Sequence, residues 1–364
     1  MTVEHVDLYA LEVPPTTPLG NSQRRFDAYH YLVAVVHADD AVGYGWSYTQ
    51  GVGGAVVYAA ARDVLVPALL GADPWQTERI WSAWRVATYS LGLVGAVRIA
   101  AAALDLALWD LKAKAAGQSL AALLGGPLLP AVPAYWSSVN LTFTPEQLAE
   151  EAAQVGRAGF GRYKMKIGKP TLAEDLERIR IAQEAAGPGV EILVDANQAF
   201  SADEAVRRGR ALVEHGVRFL EEPVPATDFA GYRRVAAVPG LTVAGGESLY
   251  QPEWLDVLAA TGVGVIQPDL FRVGGITPLL PLLARAPVHG PQVALHCGEE
   301  IAVILAAVFP VITMVEHMPT TSLAAVGLVD TPLRVEDGVL VVPDAPGHGV
   351  VFDPARLRRF RSLV

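Results

Sequence analysis

Between residues 132 and 316, short runs of β-branched and apolar residues alternate with longer stretches whose apolar positions recur at helical spacing. The runs span 132–136, 163–167, 191–195, 218–222, 242–246, 264–268, 292–296 and 312–316, one every 20 to 31 residues or so. Helical periodicity is clear between them at 145–158, 172–186 and 202–215. Strands alternating with helices at this spacing predict a parallel sheet, and eight such units predict its closure into a barrel. The first 125 residues lack this rhythm and read as a separate α+β lobe. Residues 3–14 and 29–37 there have strand character, and a polar loop at 18–26 joins them. A second flexible stretch is predicted at 50–54. A long helical pattern over 96–124 is stopped by Gly125-Gly126-Pro127. Short strands return over 333–364 without a further strand-helix unit, so that segment is expected with the N-terminal lobe.

Composition narrows the class. Of the 364 residues 52 % are hydrophobic and 18 % charged, which predicts a large buried core and no disorder. The net charge of −10, with no long basic run, argues against a nucleic-acid partner. Cys297 is the single cysteine, which excludes a disulfide framework and suits a reducing compartment. The first residues carry acids and no apolar signal core, and the longest apolar run, 301–315, contains Pro310 and is short for a membrane span. A cytoplasmic protein, working as a homo-oligomer of anything from a dimer to an octamer, is expected.

The chemistry lies at the ends of the predicted strands, where barrel enzymes place it. In Lys164-Met165-Lys166 the two lysines share one face of a strand, and their mutual repulsion predicts a lowered pKa for at least one. Asp195, Glu221 and Glu247 end three consecutive strands. Hard oxygen ligands converging without cysteine suit Mg²⁺, and without a cation they would repel one another. Asn197 shares the face of Asp195 and is a candidate to hydrogen-bond a ligand, whereas Glu222 is expected to point away. Asp269 and His296 end the sixth and seventh strands, so the carboxylate is placed to fix the imidazole tautomer and raise its basicity. Glu316 ends the eighth, and with a raised pKa it is suited to donate to a developing oxyanion. Cys297 should face away from His296 and pack. Trp109 and Asp110 are assigned to packing and local hydrogen bonding.

These motifs together resemble the enolase superfamily, in its mandelate racemase subgroup. The resemblance covers nearly the whole chain. It runs through the helix around Ala102 to Asp110, Lys164-Met165-Lys166, Val194-Asp195-Ala196-Asn197-Gln198, Glu221-Glu222-Pro223, Gly246-Glu247, Gln267-Pro268-Asp269 with Gly274-Gly275, and His296. It implies a modified TIM barrel, (β/α)7β, over 126–329, with an α+β capping domain over 1–125 completed by 330–364. It also implies a lysine or histidine base with Mg²⁺ stabilising an enediolate. In that scheme Asp195, Glu221 and Glu247 match the metal ligands and Lys166 the base on one face of the substrate. Lys164 matches a carboxylate-binding partner, Asp269 with His296 the base on the other face, and Glu316 an electrophilic acid. The muconate-lactonising subgroup carries a lysine where this chain has Asp269, and enolase itself has a different acid/base set. Two opposed bases permit dehydration of an acid sugar, an aldonate or aldarate, to a 2-keto-3-deoxy acid. The alternative is racemisation or epimerisation of an α-hydroxy acid, and a third reading is a carboxylate-binding protein without turnover. The polar, cationic loop Asn21-Ser22-Gln23-Arg24-Arg25 favours a polyhydroxy acid, with Asn21, Arg24 and Arg25 as candidate substrate contacts.

Overall fold

The computed structural model describes residues 1–16 and 19–364, so Pro18 of the predicted loop lies outside the described residues. Eight parallel strands form the barrel: β1 (Ala131–Ser137), β2 (Arg162–Lys166), β3 (Glu191–Asp195), β4 (Phe219–Glu221), β5 (Thr242–Gly245), β6 (Val265–Ile266), β7 (Gln292–Leu295) and β8 (Ile312–His317). Pairing of Val315, Glu316 and His317 with Ala134, Tyr135 and Trp136 joins β8 to β1 and closes it. All eight fall where the apolar runs predict them.

Tyr135, Leu193, Phe219, Ala244, Val265, Ala294 and Met314 form a buried cluster of their own. Each belongs to a different barrel strand, and side chains two apart on a strand share a face. The residues two positions on from Leu193, Phe219, Val265, Ala294 and Met314 are Asp195, Glu221, Gln267, His296 and Glu316. One alternation therefore fills the barrel with apolar groups and sets polar ones at its rim. The connecting helices Pro145–Arg157 and Leu172–Ala186 begin in capping boxes at Thr144 and Thr171, which satisfy exposed first-turn amides.

The N-terminal lobe is an antiparallel sheet of Val3–Val13, Tyr29–Ala38 and Ala41–Thr49, the last strand unforeseen because its glycines and polar residues obscure the alternation. Its two faces are both buried. Tyr29, Tyr31, Val33 and Trp46 join the barrel's core cluster, while Leu32, Ala34 and Val36 pack with helices of the lobe. The long helix Gly95–Ala115 lies against the strand Ala41–Thr49, and glycines allow this: a Cβ on Gly45 would stand 2.0 Å from the Ala103 carbonyl oxygen.

The C-terminal segment meets both units. Val339–Val341 pairs antiparallel with Ala131–Pro133 of the barrel, while Gly347 bonds to Gln118 and Leu120, His348 to Tyr44 and Asp110, and Arg361–Ser362 pairs with Leu11 and Glu12, all of the cap. The pairing of Val339–Val341 with the start of β1 is a backbone contact that hydropathy alone does not reveal. Among the described residues no helix is long and apolar enough to cross a membrane.

Candidate active site

Strand β2 carries both lysines into the barrel mouth, where Lys164 is fully buried and Lys166 nearly so. Lys164 Nζ lies 3.0 and 2.8 Å from the two oxygens of Glu221 and 2.6 Å from Glu316 Oε1. Lys166 Nζ meets Asp195 Oδ2. Burial disfavours both ammonium groups, but the carboxylates outweigh it. Glu221 and Glu316 hold Lys164 well above its ordinary value, and Asp195 raises Lys166 against the opposing charge of Lys164. The pKa depression expected from lysine repulsion is thus reversed by anions that the dipeptide does not reveal.

Asp195, Glu221 and Glu247 each offer an oxygen, and the three lie within 4.8 Å of one another. Burial and the neighbouring carboxylates push Glu221 up to about 8 against the pull of Lys164. Glu247 reaches the cluster through Gly246, whose φ of 124° is open to glycine alone among common residues. Asn197 takes a φ of 41° and holds Asp195 from two sides, its backbone N–H donating to Oδ1 at 2.7 Å and its amide to Oδ2 at 3.2 Å. Its own Oδ1 is buried without a hydrogen-bond partner. An all-oxygen set of convergent, mutually repelling carboxylates beside an orphaned amide oxygen fits a hard divalent cation. Glu222 stands apart from the cavity and accepts from Gln198 Nε2 at 3.1 Å. It is nonetheless near enough that burial, then Glu247 and Asp195, push it up to about 8.

On the other flank, Asp269 Oδ2 lies 2.7 Å from His296 Nδ1, and Asp269 Oδ1 accepts from the amides of Phe271 and Arg272 at 2.8 Å each. The carboxylate is therefore fixed by the turn it caps before it fixes the imidazole. His296 Nε2 faces Glu247 Oε2 at 2.9 Å and Glu316 Oε2 at 4.0 Å. Burial opposes the imidazolium, yet Cys297, Glu247, Glu316 and Asp269 hold His296 well above an ordinary histidine. Two expectations fail here. Glu316 is no neutral acid: burial raises it, but Lys164 and His296 bring it down to about 2, and it accepts from the Cys297 amide at 3.0 Å. Cys297 does not turn away, because its φ of 55° breaks the strand alternation and leaves Sγ 3.3 Å from His296 Nε2.

The polar loop around Asn21 to Arg25 is held to the barrel by hydrogen bonds. Ser22 Oγ donates to the carbonyls of Ala196 and Asn197 at 2.7 and 2.9 Å, and Gln23 Nε2 to that of Asn197 at 2.8 Å. Asn21 lines the cavity, its Oδ1 accepting from the amides of Gln23 and Arg24 at 3.0 and 3.1 Å. The structure does not bring Arg24 or Arg25 to the cavity. Arg24 donates to the Gln50 carbonyl and Arg25 is exposed, because a two-residue pairing of Leu19–Gly20 with Arg25–Phe26 turns that end of the loop outward.

Comparison with known proteins agrees with this arrangement. Residues 5–125 match the model of the mandelate racemase/muconate lactonizing enzyme N-terminal domain, and residues 147–356 match the enolase C-terminal domain-like model. The chain belongs to the mandelate racemase/muconate lactonizing enzyme family. It is 33 % identical over 356 residues to a 3,6-anhydro-alpha-L-galactonate cycloisomerase of Streptomyces coelicolor, covering 97 % of each chain. It is 32 % identical over 370 residues to an L-talarate/galactarate dehydratase of Salmonella typhimurium, covering 99 % of this chain and 91 % of that one. The crystal structure of a Streptomyces coelicolor racemase with bound magnesium superposes with a TM-score of 0.93 at 32 % identity, covering 99 % of this chain and all of that one.

Within this family frame, the cavity shows what sequence reasoning missed. It measures about 80 Å³, and its floor holds Lys166, Asn197, Glu247, His296 and Glu316. A second wall comes from the cap: Tyr29 and Tyr31 from one strand, Trp46 and Tyr48 from the next, set side by side by the register Tyr31 opposite Tyr48. Glu299 and Glu300, which open the helix after β7, complete it with Thr321 and Ser322. The Tyr-x-Tyr and Trp-x-Tyr spacings are a period-two signal that places these aromatics on one face; the topology that turns this face to the barrel leaves no local trace.

Proposed function

We propose that this chain is a Mg²⁺-dependent lyase that dehydrates a sugar acid to a 2-keto-3-deoxy acid, working in the cytoplasm as a homo-oligomer. The observation that carries the reading is the flanking of the carboxylate cluster on β3 to β5 by Lys166 on β2 and by the Asp269–His296 pair, with Lys166 and His296 opening into one cavity. The named activity of the similar L-talarate/galactarate dehydratase supports it. Asp195, Glu221 and Glu247 would hold the Mg²⁺, which when bound supplies positive charge to a substrate carboxylate as negative charge develops on it. Lys164, buried beneath the cluster, adds a fixed ammonium to the same end of the site. Lys166, whose ammonium Asp195 stabilises while the two are paired, can act as a base only once Asp195 is engaged by the cation instead; it then removes the proton at the α-carbon, giving the enediolate form of the substrate. His296, kept protonated by its anionic neighbours, delivers a proton to the departing β-hydroxyl. Asp269 and Asn197 act by orientation, one on the imidazole and the other on Asp195.

The aromatic wall favours one second reading, racemisation of an α-hydroxy acid by the same two bases. Product analysis separates the two, since only dehydration forms a 2-keto acid. The test of the main reading is 2-keto acid formation from a panel of sugar acids with Mg²⁺. Exhaustive chelation should abolish it, added Mg²⁺ should restore it, and Glu221→Gln should be inactive at any Mg²⁺ concentration. Undiminished turnover after chelation, or by Glu221→Gln, overturns the assignment.

A further inference from the structure

Besides Glu247 and Glu316 at the carboxylate cluster, two further acids, Glu299 and Glu300, line the cavity. Both are buried; Glu299 Oε2 accepts from His317 Nδ1 at 2.8 Å and from the Met318 amide at 2.9 Å, and Glu300 Oε1 from the Leu323 amide at 3.1 Å. The tyrosines, Gln50, Thr321 and Ser322, which also line it, are neutral. Among the described residues the cationic side chains that line the cavity are Lys166 and His296, both at the catalytic floor. The nearby arginines are committed elsewhere. Arg24 and Arg272 line a neighbouring cavity behind Tyr48, Gln50 and Phe271; Arg24 donates to the Gln50 carbonyl, and Arg272 to the Glu247 carbonyl at 2.8 Å.

A bound diacid would bring its second carboxylate among these groups. A carboxylate only accepts hydrogen bonds, and neutral hydroxyl donors alone do not offset the cost of burying its charge without a cation. Here it would also face the carboxylate of Glu299, while Glu300, pushed up to about 8 by burial and then by Glu299, is an acid and supplies no cation. A hydroxyl suits the same groups, because it donates to a carboxylate oxygen and accepts from a phenol. We infer that the substrate is a monocarboxylic polyhydroxy acid, an aldonate whose hydroxylated tail lies against Glu299, Glu300 and the cap tyrosines, and not an aldarate. The inference rests on the dehydratase reading above and narrows its substrate. It separates the chain's substrate from talarate and galactarate, both diacids, which name the similar Salmonella enzyme.

The experiment measures 2-keto acid formation by the Mg²⁺-loaded enzyme on matched pairs: gluconate with glucarate, galactonate with galactarate, and the other hexonates with their diacids. The aldonate of the productive configuration should exceed its aldarate about a hundredfold in kcat/KM, the low end of the penalty for leaving a buried charge without its partner. An aldarate used as well as or better than its aldonate overturns the inference while leaving the dehydratase reading standing. No 2-keto acid from any member of either series overturns both. Ser322→Lys, at a half-buried wall position, should raise the aldarate-to-aldonate ratio at least about tenfold by supplying the missing cation. An unchanged ratio in a folded Ser322→Lys protein refutes the placement of the tail. Arg24→Ala should leave the ratio as it is, and a selective loss of aldarate turnover would show that this arginine serves a second carboxylate after all.

Discussion

Replacing Asp269 by asparagine tests the site at the point where structure and chemistry are hardest to separate. The oxygen that becomes the amide oxygen can keep the capping role, accepting from Phe271 and Arg272 as Oδ1 does now at 2.8 Å. The new NH₂ then faces His296 Nδ1, where Oδ2 lies at 2.7 Å. A donor at that position makes Nδ1 an acceptor and moves the imidazole proton to Nε2, the nitrogen directed to the cavity floor. The protonated imidazole also loses its anionic partner. In stability the exchange of a charge-assisted hydrogen bond for a neutral one costs about 1–2 kcal/mol. Asp269→Ala should cost about 1 kcal/mol more, since the cap goes too. In catalysis the loss should be far larger, about 10²- to 10⁴-fold in kcat, the range for a general acid or base held in the wrong protonation state. The assay pairs kcat for 2-keto acid formation with thermal denaturation of the same preparations. A folded Asp269→Asn protein whose kcat stays within tenfold of wild type, with an unaltered pH profile, refutes the claim that Asp269 acts through the His296 tautomer.

Two further predictions use other parts of the molecule. Lys166→Ala should abolish α-deuterium exchange, whereas His296→Asn should still exchange the α-proton yet form no 2-keto acid, because one is the base and the other the acid; exchange retained by Lys166→Ala, or 2-keto acid formed by His296→Asn, shows the assignment to be wrong. Gly45→Ala would force a Cβ to within 2.0 Å of the Ala103 carbonyl oxygen and 2.5 Å of the Ala107 amide, so thermal stability should fall by about 1–3 kcal/mol or more; a melting temperature equal to wild type would mean that the sheet and the long helix are not in contact as described.

The barrel was legible because its signal is local and repeated. Every strand carries its own apolar run, and the helix Leu172–Ala186 announces both its ends through Thr171 and Gly187. The chemistry of the rim was legible for the same reason, since Asp195, Glu221, Asp269, His296 and Glu316 each follow a readable strand. Where the backbone leaves the strand pattern, reading failed. Cys297 is turned into the cavity by a positive φ, and period-two reasoning sends it to the wrong face. The protonation states of Lys166 and Glu316 also escaped, because they depend on Asp195 and Lys164 at sequence separations of 29 and 152 residues. The polar loop misled most: its arginines draw the eye, but hydrogen bonds of Ser22 and Gln23 to the end of β3 decide which part of the loop meets the site.

The aromatic wall of the cavity belongs at the same time to the molecule's main core. Tyr29, Tyr31 and Trp46 are each less than 5 % exposed and lie in the same buried cluster as the barrel's outer packing. A change of substrate that required reshaping these aromatics would loosen the seat of the cap on the barrel, and the cost would appear as poor folding before any new specificity could be selected. Ser322 and Thr321, and Gln50 on the cap, touch the same cavity from half-buried positions outside that cluster. Variation in what this scaffold accepts should therefore accumulate at these three positions, with the aromatic wall changing last.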